Sequence, residues 1–346
     1  MQDIQTNETA LPAKPCLNCG NPDVVKDVPN ALCAVCRNAA IRFPIPIWVK
    51  LFGGGILLLM IFSLINLPAS LTIGLCLERG IAAEQQHKFV TAQRYFTQAV
   101  KLDSANTEAN EHLIIATYYN NDLVTFLQSG NRIANKTLDD DELLGRVNAL
   151  AAKTGYYFAS DSFYTIEKAY ASADAIPDSV YINYIKNNND NLYEQTMFAS
   201  TLFDHKDYRR CDSLCHIILN TDDENFSALT LMGSAKRFEN QADSAVYYCN
   251  RILYMNNESG YAGCLKARAL LKLKRNDEAL KIVMDCKQAD STNAYILATL
   301  ALVYHFNNDI AKRDAVLHQA ERMNTDSTAT EIFQYVYDVI NNKESL

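Results

Sequence analysis

The sequence predicts an all-α protein: an array of helical hairpins from about residue 73 to 346, preceded by a small cysteine-bearing head and one apolar helix. Three observations predict it. The stretch Leu51 to Leu77 runs twenty-seven residues without a charge. Small residues recur at a 34-residue step through the second half of the chain. Four cysteines stand as two CxxC pairs before the apolar stretch.

The apolar stretch divides the chain. A bilayer core of about 30 Å needs roughly 20 apolar helical residues to cross it, and LFGGGILLLMIFSLINLPASLTIGLCL is long enough. A buried core helix is the competing reading, but such helices rarely stay apolar on every face over this length. The expectation is one transmembrane helix with its flanks at 47–72, ending near Pro68 to Ile73, with Trp48 placed as an interfacial aromatic. Some fifty residues precede it and no small-x-small site succeeds it, so it reads as a retained anchor and not a cleaved signal. Arg37, Arg42 and Lys50 precede the span, with no acid after Asp27. By the positive-inside tendency the head is expected in the cytoplasm and the tail outside it.

Charge is unevenly spread. Residues 1–50 carry five Lys/Arg against four Asp/Glu, while the remainder carries 27 against 36. An acidic tail has little attraction for a phosphate backbone, so no nucleic acid partner is expected.

Residues 1–13 are polar and aperiodic and read as a flexible leader. In CLNCGNPDVVKDVPNALCAVC, Cys16, Cys19, Cys33 and Cys36 form two knuckles able to bring four thiolates to one tetrahedral ion, with Gly20 supplying the open backbone angles of the turn. The segment 14–38 resembles short zinc ribbons. That resemblance implies a structural Zn2+, because four sulfur ligands leave no open position. Four unrelated thiols or two disulfides are the alternative.

Repeats dominate the chain beyond the apolar stretch. Gly80, Ala92, Phe96 and Ala99 stand at helix-hairpin spacing, and a 34-residue step runs through units starting at Leu192, Phe226, Gly260 and Ala294. Position 8 of these units is Ala199, Gly233, Ala267 and Ala301; position 20 is Cys211, Ala245, Ala279 and Arg313; position 27 is Ile218, Ile252, Cys286 and Ala320. The pattern resembles the tetratricopeptide repeat (TPR). It implies degenerate repeats over 73–190, four repeats over 191–329, and a capping helix over 330–346. After the acidic turn Asp139 to Glu142 the phase slips, with YTIEKAYASADAI expected to continue as helix.

In TPR proteins, positions 2, 5, 9, 12 and 13 line a concave groove. Here they include Tyr193, Phe203, Arg237, Phe238, Tyr261, Arg268, Lys272, Tyr295 and Phe306, aromatics beside cations that would suit an apolar and acidic peptide. Packing between repeats is the other reading of the same residues. Cys211 and Cys215 occupy seam positions and read as packing residues; Cys264 and Cys286 are the pair best placed for a disulfide if the tail is extracytoplasmic. The six histidines show no ligand spacing and are expected on surfaces or loops. Neither a phosphate-binding glycine loop nor a nucleophile motif is present.

The function expected is a membrane-anchored scaffold holding a protein or peptide in its groove, without enzymatic activity. A transmembrane sensor coupling an envelope ligand to a cytoplasmic regulator through the cysteine head is the alternative, and a thiol- or metal-dependent enzyme is a third.

Overall fold

The computed structural model describes residues 14–25, 31–41, 46–134, 136, 140–188, 191–323, 327–344 and 346. The expected leader, Arg42 and Asp139 lie outside these residues. Among the described residues there are seventeen α-helices and no strand. The chain divides into two units, Met1–Pro68 and Ala69–Leu346.

In the first unit, α1 (Ala34–Ile41) comes directly after Cys33, and α2 (Ile47–Gln85) begins directly after Pro46, whose carbonyl accepts from the Val49 amide at 3.0 Å. Proline fits there because the first amide of a helix has no partner to lose. Helix α2 runs on beyond the expected end of the span, to Gln85. Leu51, Phe52, Leu58, Leu59 and Phe62 are all exposed on it. Among the described residues no helix is long and apolar enough to cross a membrane; side chains 64–68, inside the expected span, lie outside those described.

The second unit holds the hairpins. After the end of α2 come α3 (Phe89–Leu102), α4 (Thr107–Tyr119), α5 (Leu123–Ile133) and α6 (Asp141–Thr154). The later array is α9 (Leu192–Asp204), α10 (Tyr208–Thr221), α11 (Phe226–Phe238), α12 (Ala242–Met255), α13 (Gly260–Lys272), α14 (Asn276–Ala289), α15 (Ala294–Phe306) and α16 (Ile310–Met323). First helices start at residues 192, 226, 260 and 294, and second helices at 208, 242, 276 and 310, so both keep the 34-residue step.

Two local devices repeat with it. Asn106, Asn225, Ser259 and Asn293 each cap a first helix by accepting from an amide three residues on, a bond contributing about 0.5–2 kcal/mol per helix. Between the helices of each pair, His87, Asn121, Lys206, Asn240, Lys274 and Asn308 take φ near +60°, as does Asn342 after α17 (Ser327–Ile340). Four of the seven are asparagine, the residue after glycine that best tolerates this left-handed region. Asn342 falls 34 residues after Asn308, so α17 stands at the place of a first helix on the step; it buries Phe333, Val336 and Val339.

The phase slip falls later than the acidic turn. Asp140 caps α6 by accepting from the Glu142 and Leu143 amides, and α6 starts on the step from α4. Beyond it the expected helical run YTIEKAYASADAI is broken: α7 (Asp161–Glu167) ends early, Ser172 is extended, a 3-10 turn covers Ala173–Ala175, and α8 (Asp178–Asn187) starts after Pro177. Aromatic packing accounts for the irregular path. Phe163 and Tyr181 are fully buried, and Tyr181 stacks on Phe198 of α9 at 4.9 Å, so the chain folds over the open end of the later array instead of extending it.

Close crossing within each pair depends on the small residue at position 8. A Cβ at Gly80 would overlap the Phe96 ring, and one at Gly233 would lie 3.3 Å from Cys249 Sγ. Gly80→Ala is expected to lower stability by about 1–3 kcal/mol through overpacking, read as a lower midpoint in denaturant unfolding of the intact chain; an unchanged midpoint would show that α2 and α3 can separate at little cost.

Candidate functional site

Local backbone geometry builds the cysteine cluster. The Gly20 amide donates to the Cys16 carbonyl at 2.9 Å, with Gly20 at φ +73°, which closes the first knuckle. The Leu17 amide donates to the Ala31 carbonyl and the Val25 amide to the Leu32 carbonyl, tying the two halves together. The second pair lies at the start of α1, where the Cys36 amide donates to Cys33 Sγ at 3.4 Å. All four Sγ atoms lie within 4.8 Å of one another, against about 3.8 Å between sulfurs on a tetrahedral zinc. Backbone amides of Cys33 and Cys19 pull the Cys16 thiol down to about 6. At Cys19 the Asn21 amide pulls downward, but the thiols of Cys36, Cys33 and Cys16 together push it up to about 12. Four sulfurs this close cannot all ionise without a cation among them.

Solvent reaches the nine predicted groove residues unequally. Arg237 and Arg268 are 4% and 5% exposed. The Arg237 guanidinium lies 4.0 Å over the Phe238 ring, and Arg268 lies over Tyr295 at 4.4 Å and donates from Nε to Thr299 Oγ1. Lys272 Nζ donates to the Arg237 carbonyl and to Asn240 Oδ1, and burial together with the Arg237 charge lowers its pKa. Phe203 and Phe238 pack with Tyr208, whose ring stacks on Phe238 at 5.4 Å. Tyr193 donates to Glu167, and burial with that carboxylate pushes its hydroxyl up to about 12. Phe306 is half-buried against His305. Tyr261, stacked on half-buried Tyr295 at 4.9 Å, is the exposed member of the set. Much of the expected binding face therefore packs on itself.

Cys211 and Cys215 are fully buried with sulfurs 4.0 Å apart, as packing residues. Cys264 and Cys286 are free thiols. One histidine departs from the expected surface placement: His112 is buried, stacked on Phe96 at 5.1 Å, and bonded to Glu84, which also receives Arg146. Its aromatic and carboxylate partners lie on other helices, so spacing within α4 carries no trace of them.

Sequence reasoning missed a contact between the early and later hairpins. The Asn257 amide donates to the His87 carbonyl at 3.0 Å, and both carboxylate oxygens of Glu258 accept from Thr91. Asn256 Nδ2 donates to Asn120 Oδ1 at 2.7 Å, and Lys153 pairs with Glu224. This seam is polar, with separate apolar clusters on its two sides. It brings the α4–α5 turn beside α9, α11 and α13, leaving a cleft of about 510 Å3 that reaches from Asn120 to Tyr261.

Residues 238–338 match the family model described as Psidin, N-terminal TPR repeats region. No curated protein matches the chain. Among solved structures, a tetratricopeptide repeat protein from Parabacteroides merdae ATCC 43184 is 13% identical, with TM-score 0.39, covering 77% of this chain and 99% of that one. YrrB, a TPR protein with an unusual peptide-binding site, is 13% identical, with TM-score 0.33, covering 68% and 94%. Yeast Tom70 is 11% identical, with TM-score 0.38, covering 73% and 60%. The helix-pair geometry is TPR-like, and the family match over residues 238–338 agrees with it.

Asp222 marks the seam electrostatically. Burial raises its pKa despite Lys153 at 4.0 Å, and its Oδ2 has no hydrogen-bond partner. A carboxyl whose folded pKa is raised penalises folding once it ionises; the penalty is absent below the ordinary carboxylate range and complete above the raised value. Asp222→Asn is therefore expected to stabilise the chain by about 1 kcal/mol at pH 7, with the difference vanishing towards pH 3, as monitored by urea unfolding at both pH values.

Proposed function

We propose that this chain is a membrane-anchored, non-enzymatic scaffold whose TPR-type array holds a protein or peptide partner. The observation that carries the reading is the array itself: stacked helix pairs on one 34-residue step, with a cleft left open at the seam. Such arrays present extended surfaces for partner segments. The cleft falls within the ordinary range for ligand sites, about 300–1,000 Å3.

Anchoring rests on the uncharged stretch Leu51 to Leu77 and on the large apolar side chains that α2 leaves uncovered, an arrangement that lipid would bury. In this reading the cysteine head faces the cytoplasm, where thiols stay reduced, and the array lies on the other side. Cys16, Cys19, Cys33 and Cys36 would hold one structural Zn2+ as thiolates, since their spacing fits four-sulfur ligation and a divalent ion relieves the repulsion among them.

A second reading, a sensor that couples a ligand on the array to a cytoplasmic regulator, is favoured by the presence of an ordered head on the far side of the apolar stretch. Loss of a co-purifying cytoplasmic protein from Cys16→Ser/Cys19→Ser would select it.

Two measurements test the main reading. Elemental analysis of the purified chain should give one zinc per chain, falling to near zero in Cys16→Ser/Cys33→Ser, whereas a chain without zinc that retains its head structure would remove the metal from the reading. Membranes washed with alkaline carbonate should keep the chain in the pellet, and protein crosslinked to it in cells should bind the purified chain again; release by carbonate would overturn the anchor, and failure of any partner to rebind would overturn the scaffold.

A further inference from the structure

We infer that Arg237, Arg268 and Lys272 form a binding site for a small divalent oxyanion of the phosphate or sulfate type, taken into the array among α11, α13, α15 and α17. The inference goes beyond the scaffold reading. It gives the array a ligand of its own, separate from any protein that docks on it.

Uncompensated positive charge is the first observation. The three cations stand on successive first helices, α11 and α13, and Arg237 and Arg268 are 4% and 5% exposed. Burial raises the pKa of Tyr261 and Tyr295, and the charges of both arginines act on these same two hydroxyls in the opposite sense. Among the described residues no carboxylate pairs with any of the three. Burial raises the Tyr208 pKa too, with Arg237 opposing the rise and Glu344 adding to it, yet Glu344 makes no ion pair with Arg237. Burial pushes the Cys264 thiol up, while hydrogen bonds from Cys286 and Thr299 and the Arg268 charge carry it down; as a thiolate it would offset only one of the three charges. A buried cation without a counter-charge is strongly destabilising. An anion held between the arginines removes that cost.

Unused hydrogen-bond donors are the second. Nε and Nη1 of Arg237 and Nη2 of Arg268 are buried and have no partner, whereas Arg268 Nε donates to Thr299 Oγ1 at 3.1 Å. Native interiors seldom leave such groups unpaired. The fixed fork of a guanidinium matches the oxygens of phosphate or sulfate. Lys272 Nζ donates to the Arg237 carbonyl and to Asn240 Oδ1, which leaves its third N–H for the same ion. What covers the arginines sets the size of the ligand. The Phe238 ring centre lies 4.0 Å from the Arg237 guanidinium, and the ring centres of Tyr295 and Tyr335 lie 4.4 and 5.3 Å from that of Arg268. A docked chain finds no surface there to lie against. A small ion needs none, and half-buried Lys272 marks its way in.

The test is anion binding by the full chain in detergent, measured by titration calorimetry and thermal unfolding in phosphate, sulfate and chloride at matched ionic strength. Phosphate or sulfate is expected to bind at one site per chain and to raise the thermal midpoint by about 5 °C at a hundredfold excess over its Kd, with chloride leaving it unchanged. Arg237→Met/Arg268→Met should weaken binding by about two orders of magnitude, while its midpoint without the anion holds or rises because two unpaired buried charges are gone. A purely structural role for the arginines would lower that midpoint and give the wild type no anion-specific response. Lys272→Met, at the half-buried edge of the site, should weaken binding about tenfold with an unchanged circular dichroism spectrum, and it carries the test if the double variant does not fold. An equal response to chloride, no saturable binding, or wild-type affinity in either variant overturns the inference. So does an acidic hexapeptide that binds more tightly than phosphate and loses affinity in the same variants, which would make the arginines a docking site for a chain. A crosslinked partner that still rebinds in any of these cases leaves the scaffold standing.

Discussion

Close approach of paired helices is the constraint on which the second unit depends. At position 8 the backbone of one helix meets a side chain of its partner, with the Gly80 backbone against the Phe96 ring and Gly233 close to Cys249. Ala199, Ala267 and Ala301 occupy the same place with no exposure. Once that crossing is set, the left-handed turn residue between the helices and the Asn or Ser cap before the next pair fall at fixed distances, because a hairpin of this depth leaves the chain no other way to reverse. Interior packing is dense enough that a single methyl at the crossing is felt.

Much of this was legible because the constraint is local. The 34-residue step, the start of each first helix and the buried seam residues can all be read from small residues at one spacing. Burial of Arg237 and Arg268 was not, since it depends on side chains contributed by other repeats, such as Tyr295 and Tyr335 around Arg268. Tyr335 on the last helix reaches the Arg268 guanidinium at 5.3 Å, a contact between hairpins that are not neighbours. The irregular path from Tyr157 to Asn187 was also hidden. Its helical periodicity is real over short runs, but the large rings of Phe163 and Tyr181 claim a core of their own, and tertiary packing overrides the local preference.

Legibility in the candidate sites divides the same way. Four cysteines at two-residue gaps announce themselves, because each knuckle is a local turn. The cleft joins Asn120 to Thr196 and Thr230, and only one of its two walls lies on the repeat register. Thr196 and Thr230 could have been singled out as equivalent positions carrying the same residue; nothing in the sequence ties Asn120 to them. Aromatics and cations drew attention because they are common at interfaces; the fold buries Arg237 and Arg268 with N–H groups left unpartnered, and leaves the Thr196 and Thr230 hydroxyls in the same condition.

The hydrogen bonds between His87 and residues 254 to 257 change what kind of polymer this is. A simple repeat array is quasi-linear: each hairpin touches its neighbours, and unfolding can start at an end and stop anywhere. Here a link between residues 167 apart in sequence closes the chain into a loop. Its entropic cost grows only slowly with loop length, but it must be met before the link returns anything, which places the seam among the slow steps of folding. Once closed, the loop gives the early hairpins a second set of neighbours, and fraying at α3 is coupled to the stability of α12 and α13.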